Sequence, residues 1–406
     1  MERILERFIK YVKIDTTSSE ETGTLPSTEG QRVLAQVLKK ELEELGVSEV
    51  SVTDDCFVLA RIPASAGHES AKKVGLLAHL DTAPDCSGKD VKPMIHKAYD
   101  GGVLQLEHGI SIDPETYPEL LRYIGDDIVT SDGSTLLGGD DKAGIAIIMD
   151  AVENLMNQPD CAHGEIKIAF TPDEELSPSG VSALDVEAFG ADFGITVDGD
   201  GIGELNYETF NGCWYLVKIR GNNIHPSEAK GKMINASTLA MEFDSLLPRD
   251  QRAEYTEGHQ GFVHLYEMNG TVESASLSYI LRDFSKEGLT EKQKILENAA
   301  ETINRKYGYE CITLSWEHEY SNPYEEILKI EGLKELCEKA FRECGIEPVI
   351  TPIRGGTDGS TLVEKGLPCP NLFIGGHNYH STREYVSVNA MKKSAEILLK
   401  LISLLA

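Results

Sequence analysis

V-G-L-L-A-H-L, residues 74–80, is the stretch on which the fold turns. It is apolar without alternation until the histidine at position 79. An unbroken apolar run this short reads as a strand buried on both faces. Three further runs read the same way: E-I-K-I-A-F (165–170), F-G-I-T-V-D (193–198) and N-L-F-I-G-G (371–376). Between them lie helical patterns, such as K-A-G-I-A-I-I-M-D-A-V-E-N-L-M (142–156) and L-K-E-L-C-E-K-A-F-R-E-C (333–344). Short buried strands alternating with helices predict an α/β domain with a mostly parallel sheet flanked by helices.

Working outward, residues 16–30 are polar and loop-like, and Q-R-V-L-A-Q-V-L-K-K-E-L-E-E-L-G (31–46) is an amphipathic helix with Gly46 as its stop. The stretch from about 209 to 320 has a different rhythm. C-W-Y-L-V-K-I-R (213–220) alternates as a strand, and 233–247 reads as a helix. Residues 262–272 and 274–284 read as two strands, 289–308 as a helix and 310–320 as a last strand. The order β-α-β-β-α-β is the ferredoxin-like arrangement. The expected organisation is therefore one domain from 1–208 and 321–406, with a ferredoxin-like α+β domain, 209–320, inserted into it. Asn, Gly and Pro place the hinges near Phe210–Gly212 and Ser321–Pro323.

The chain has 406 residues and a formal net charge of -29. Such acidity repels phosphate backbones and anionic membranes, so neither nucleic acid nor membrane is an expected partner. The opening M-E-R-I-L-E-R-F-I-K-Y-V-K-I is an amphipathic helix whose charges interrupt any apolar core, unlike a signal peptide. No apolar run reaches the roughly 18–20 residues that span a bilayer. The eight cysteines are scattered and form no C-x-x-C pair. Reduced thiols in a cytoplasm are the expectation.

Polar residues sit where the apolar runs end. The first run delivers His79 and Asp81, and the second is followed by Glu174 and Glu175 in T-P-D-E-E. The third ends in Asp198, and the fourth leads through G-G-H-N-Y-H to His380. Any one of these alone is more often a helix cap or turn residue. In an open α/β sheet, however, ligands bind beyond the carboxyl ends of the strands, and four such ends point to one convergent site. A fifth element, G-G-D-D-K-A-G (138–144), puts Asp140 and Asp141 at a helix start, where one can cap while the other ligates. Two histidines and three carboxylates suit Zn²⁺, or Co²⁺ or Mn²⁺ in its place. Five protein ligands exceed what one catalytic zinc takes, and fit two metals sharing a carboxylate and a water. Of the adjacent Glu174 and Glu175, one can bind metal while the other takes the proton of the water. Asp81 can orient the His79 imidazole from behind.

H-L-D-T (79–82), G-G-D-D-K-A-G (138–144), T-P-D-E-E (171–175), V-D-G (197–199) and N-Y-H (378–380) resemble the co-catalytic zinc peptidases that include acetylornithine deacetylase and glutamate carboxypeptidase. T-L-L-G-G-D-D-K-A-G (135–144), G-N-N-I-H-P (221–226), I-R-G-G-T-D-G (353–359) and G-L-P-C-P-N-L-F (366–373) resemble the tripeptide-aminopeptidase branch of that family. The resemblance runs from the first helix to the last. It implies two zinc ions per subunit, one held by His79 and Asp198, the other by Glu175 and His380, with Asp140 bridging them. It implies a cis Asp140–Asp141 peptide, Glu174 as general base and then acid, and Asp81 as support for His79. His380 is preferred to His377 on the same ground. Substrate-binding roles follow for His225, for Arg282 and Arg354 as forks for a peptide's C-terminal carboxylate, and for Asn378 as a hydrogen-bonding group. Bottom-up, either arginine can equally be a structural ion pair. One departure stands out: the family pattern has Ala where this chain has Gly139.

The resulting expectation is a metallo-aminopeptidase that releases the N-terminal residue of short peptides, with the inserted domain closing over the peptide. A homodimer through that domain is left open, and so is the residue that receives the substrate α-amine. Two rivals stay beside it: a deacylase or carboxypeptidase of the same zinc family, and a non-enzymatic binding protein on the same fold.

Overall fold

The computed structural model describes residues 2–158, 160–176 and 179–406. Its chain divides into two compact units, 1–207 with 323–351 and 357–406, and 208–322 with 352–356.

The first unit is built on an eight-stranded mixed sheet among the described residues. The four apolar runs supply its centre. Ile166–Thr171, Val74–His79, Phe193–Gly199 and Asn371–Phe373 are neighbours in that order, each parallel to the next. Their residues are buried almost throughout, which is why the runs lack alternation. Parallel pairing brings all four carboxyl ends to one edge of the sheet. The hairpin Ser48–Val52/Val58–Ile62 extends one side, and Glu204–Asn206 with Val349–Ile350 the other.

The helix Gly139–Met156 lies against Val74–His79 and Phe193–Gly199 and is covered in turn by Arg3–Tyr11 and Val388–Leu404. It is apolar nearly all round, as a helix packed on every side must be. Gly144 permits the close approach: a Cβ there would come within 1.9 Å of the Val197 carbonyl oxygen. A second, antiparallel sheet pairs Ile128–Thr130 with Tyr385–Ser387, and Gly376–His377 with the same strand. It ties the loop before Gly139 to the loop that carries His380.

The second unit has four antiparallel strands in the order Phe262–Gly270, Ser274–Asp283, Asn211–Arg220, Ile312–Tyr320. Helices Ala236–Ser245 and Lys286–Tyr307 pack on the sheet around Tyr215, Val217, Phe243, Leu277 and Leu296. Chain order and strand order are those of the ferredoxin-like arrangement. Residues 352–356 join this unit through Ile353 N–H to the Glu208 carbonyl and Phe210 N–H to the Gly355 carbonyl. Among the described residues no helix is long and apolar enough to cross a membrane.

Candidate metal centre

His79 ends its strand with an almost fully buried side chain, and its two ring nitrogens face different carboxylates. Nε2 lies 2.8 Å from Asp140 Oδ1 and 3.7 Å from Asp198 Oδ1. Nδ1 lies 3.3 Å from Asp81 Oδ1. Burial pulls the imidazole pKa down, but Asp140 and Asp81 outweigh it and hold it well above the usual histidine value.

Asp140 reaches the other way as well. Its Oδ2 is 3.4 Å from His380 Nε2, and the same nitrogen is 3.0 Å from Glu175 Oε1. His79, Asp140 and Asp198 therefore form one group able to hold a metal ion, and Asp140, Glu175 and His380 a second. Asp140 belongs to both. It sits in a non-helical turn at the start of the helix (φ −79°, ψ 104°), and its peptide bond to Asp141 is cis. Asp141 takes the cap: its carboxylate accepts the N–H of Gly144 and that of His79.

The donor set fits cations. Four carboxyl groups crowd the floor, and burial pushes Glu174 and Asp198 well up and Glu175 up to about 7. Glu175 Oε1 is buried and faces His380 Nε2 at 3.0 Å. A buried carboxylate oxygen set against an imidazole nitrogen is a donor pair of the kind that binds a divalent cation.

Glu174, half-buried, comes from the same turn as Glu175. That turn is held by Asp81, whose Oδ1 and Oδ2 accept the N–H groups of Glu174 and Glu175. Asp81 thus grips both the imidazole of His79 and the glutamate pair.

The remaining sequence-predicted residues have other surroundings. Asn378 donates to the Arg383 carbonyl within its own loop. His377 Nε2 hydrogen-bonds the Tyr123 hydroxyl at 2.9 Å, and burial depresses its pKa to about 4. Three residues belong to the second unit. His225 is exposed and hydrogen-bonds Ser227. Arg282 is buried, pairs with Glu319 at 2.6 Å and lies over the Tyr320 ring. Arg354 donates to the carbonyls of Thr256, Gly258 and Gln260 and stacks on Phe210 and Phe262.

Sequence reasoning overlooked three carboxylates. Glu384, buried, accepts four backbone N–H groups from 137–140. Asp85 lies 3.5 Å from His380 Nδ1. Asp358 accepts the hydroxyls of Thr171 and Ser179. None stands at the end of an apolar run, and only Asp358 falls within a quoted motif, I-R-G-G-T-D-G (353–359).

The family model for peptidase family M20/M25/M40 matches residues 135–404. A protein of Clostridium perfringens named Peptidase T is 48% identical over 406 residues, covering all of both chains. The solved structure of aminopeptidase PepT from Bacillus cereus superposes with a TM-score of 0.78 at 23% identity, covering 99% of this chain and 98% of that one. A tripeptidase from Staphylococcus aureus gives 0.79 at 22% identity, with the same coverage. These two likenesses concern the fold.

Proposed function

The chain belongs to peptidase family M20/M25/M40 and is a metallo-aminopeptidase, a hydrolase of peptide bonds, and we propose that tripeptides are its substrates and that five side chains hold two divalent cations. One observation carries the two-cation reading: two groups of candidate ligands share the single carboxylate of Asp140. His79 and Asp198 hold one cation in this reading, Glu175 and His380 the other. Two histidines and three carboxylates favour zinc, with cobalt or manganese as substitutes.

When bound, such a pair lowers the pKa of a shared water and stabilises both oxygens of a tetrahedral intermediate. The chain's own residues do the rest. Glu174 takes the proton of the attacking water and passes it to the leaving amine. Its surroundings suit a group that must hold a proton, since burial pushes the carboxyl well up. Asp81 keeps the His79 ring and the Glu174–Glu175 turn in register. His225, Arg282, Arg354 and Asn378 are assigned to substrate binding on the resemblance alone. Both arginines would have to exchange present partners to reach a substrate carboxylate.

The inserted domain carries the substrate-covering and dimerising role in this reading, and sedimentation reads the copy number. The eight cysteines are free and six of them are buried, which supports a reducing cytoplasmic setting.

A panel of tripeptides, dipeptides and N-acyl amino acids, run with metal analysis, tests the proposal. Release of the N-terminal residue from tripeptides, abolished by chelator and restored by zinc, is the expected result. Turnover of N-acyl amino acids alone would overturn it in favour of a deacylase.

A further inference from the structure

The four N–H groups of Leu137, Gly138, Gly139 and Asp140 precede the helical ladder and have no helical acceptor of their own. Glu384 takes all four. Oε2 accepts from Leu137 at 2.7 Å and Gly138 at 2.8 Å; Oε1 accepts from Gly139 at 2.6 Å and Asp140 at 3.1 Å. The side chain is 1% exposed, so water does not share the task.

Glu384 also stands four residues after His380, on a loop tied to itself. Ser381 Oγ donates to the Asn378 carbonyl, Asn378 Nδ2 to the Arg383 carbonyl, and Glu384 N–H to the Ser381 carbonyl. One self-braced loop therefore presents His380 at one end and grips the Asp140 backbone at the other. The grip leaves no room at Gly139, where a Cβ would meet Val386 Cγ2 at 2.4 Å and Glu384 Oε1 at 2.9 Å.

We propose that Glu384 is a positioning residue for the cation pair: by clamping 137–140 it sets the reach from Asp140 to His380 and so assembles the group Asp140, Glu175, His380. The inference rests on the two-cation reading above. Asp140 is shared by both groups, but His380, which stands on the clamping loop itself, belongs only to Asp140, Glu175, His380, so the clamp bears most on that group. Glu384→Gln keeps size but replaces acceptor positions with an NH₂ that confronts N–H groups. Gly139→Ala keeps the carboxylate but forces the loop off it.

The test is calorimetric titration of the cation-free full chain with Co²⁺, beside thermal melts in chelator. Wild type should take two ions. In each variant one binding step should weaken by about 10- to 100-fold, as for other residues that orient ligands, while the other stays within a few-fold of wild type. A merely structural role would lower the melting temperature and weaken both steps alike, which would overturn the proposal, as would two wild-type steps in Glu384→Gln. If Glu384→Gln fails to fold, Gly139→Ala decides by the same criteria. Fewer than two ions on wild type would instead sink the two-cation reading itself, a different failure.

Discussion

The N–H of Glu174 donates to Oδ1 of Asp81 at 2.9 Å, the same oxygen that lies 3.3 Å from Nδ1 of His79. One buried carboxylate oxygen thus joins the proposed base to a proposed ligand. Asp81→Asn should lower both kcat and cation affinity, the latter about 10- to 100-fold. Steady-state kinetics with metal titration checks this; an unchanged affinity would show that the contact is incidental.

Glu174→Ala should separate chemistry from cation binding. Turnover should fall by about 10²- to 10⁴-fold with both ions retained. Metal content measured on the dialysed variant, next to its rate, gives the answer. A near-wild-type rate would remove Glu174 from the role of base.

Cation binding should expel protons. Burial lowers the His380 pKa, but Asp140 and Glu175 outweigh it and raise it to about 11. At neutral pH the cation-free imidazole is therefore protonated, and an incoming ion must displace that proton. Affinity should rise with pH up to that value and fall on acidification. Titrations in two buffers of different ionisation heat count the protons released, and a count of zero would contradict the ligand assignment of His380.

Gly144→Ala should damage fold and site together. The added Cβ would meet the Val197 carbonyl oxygen at 1.9 Å and Asp141 Oδ1 at 2.2 Å. We expect a loss of about 1–3 kcal/mol from overpacking, with weaker cation binding because Asp141 also holds the His79 backbone. Urea unfolding in chelator isolates the first effect.

The central sheet was legible because parallel strands buried on both faces leave an unmistakable mark, a short run without polar alternation. Their ends were legible for the complementary reason: His79 and Asp198 close apolar stretches, and the 174–175 pair follows one within the acidic cluster T-P-D-E-E. The ferredoxin-like order of 211–320 was legible because each element there has its own periodicity. What the sequence hides is pairing at long range. Glu384 serves backbone groups some 245 residues earlier, and a backbone donor has no residue type to read. Arg282 and Arg354 looked like forks for a substrate, yet Glu319 and a row of carbonyls already engage them. A guanidinium advertises its charge in a sequence but not its partner.

Because Asp140 belongs to both ligand groups, the routes by which this site can change in evolution are unequal. A lineage drifting towards a single ion can lose His380 or Glu175 and keep the other group whole. In the two-cation reading, a change at Asp140 touches both candidate groups at once. Relatives with one ion, or with none, should therefore differ first at positions 175 and 380 and last at 140, an order that ancestral reconstruction can read.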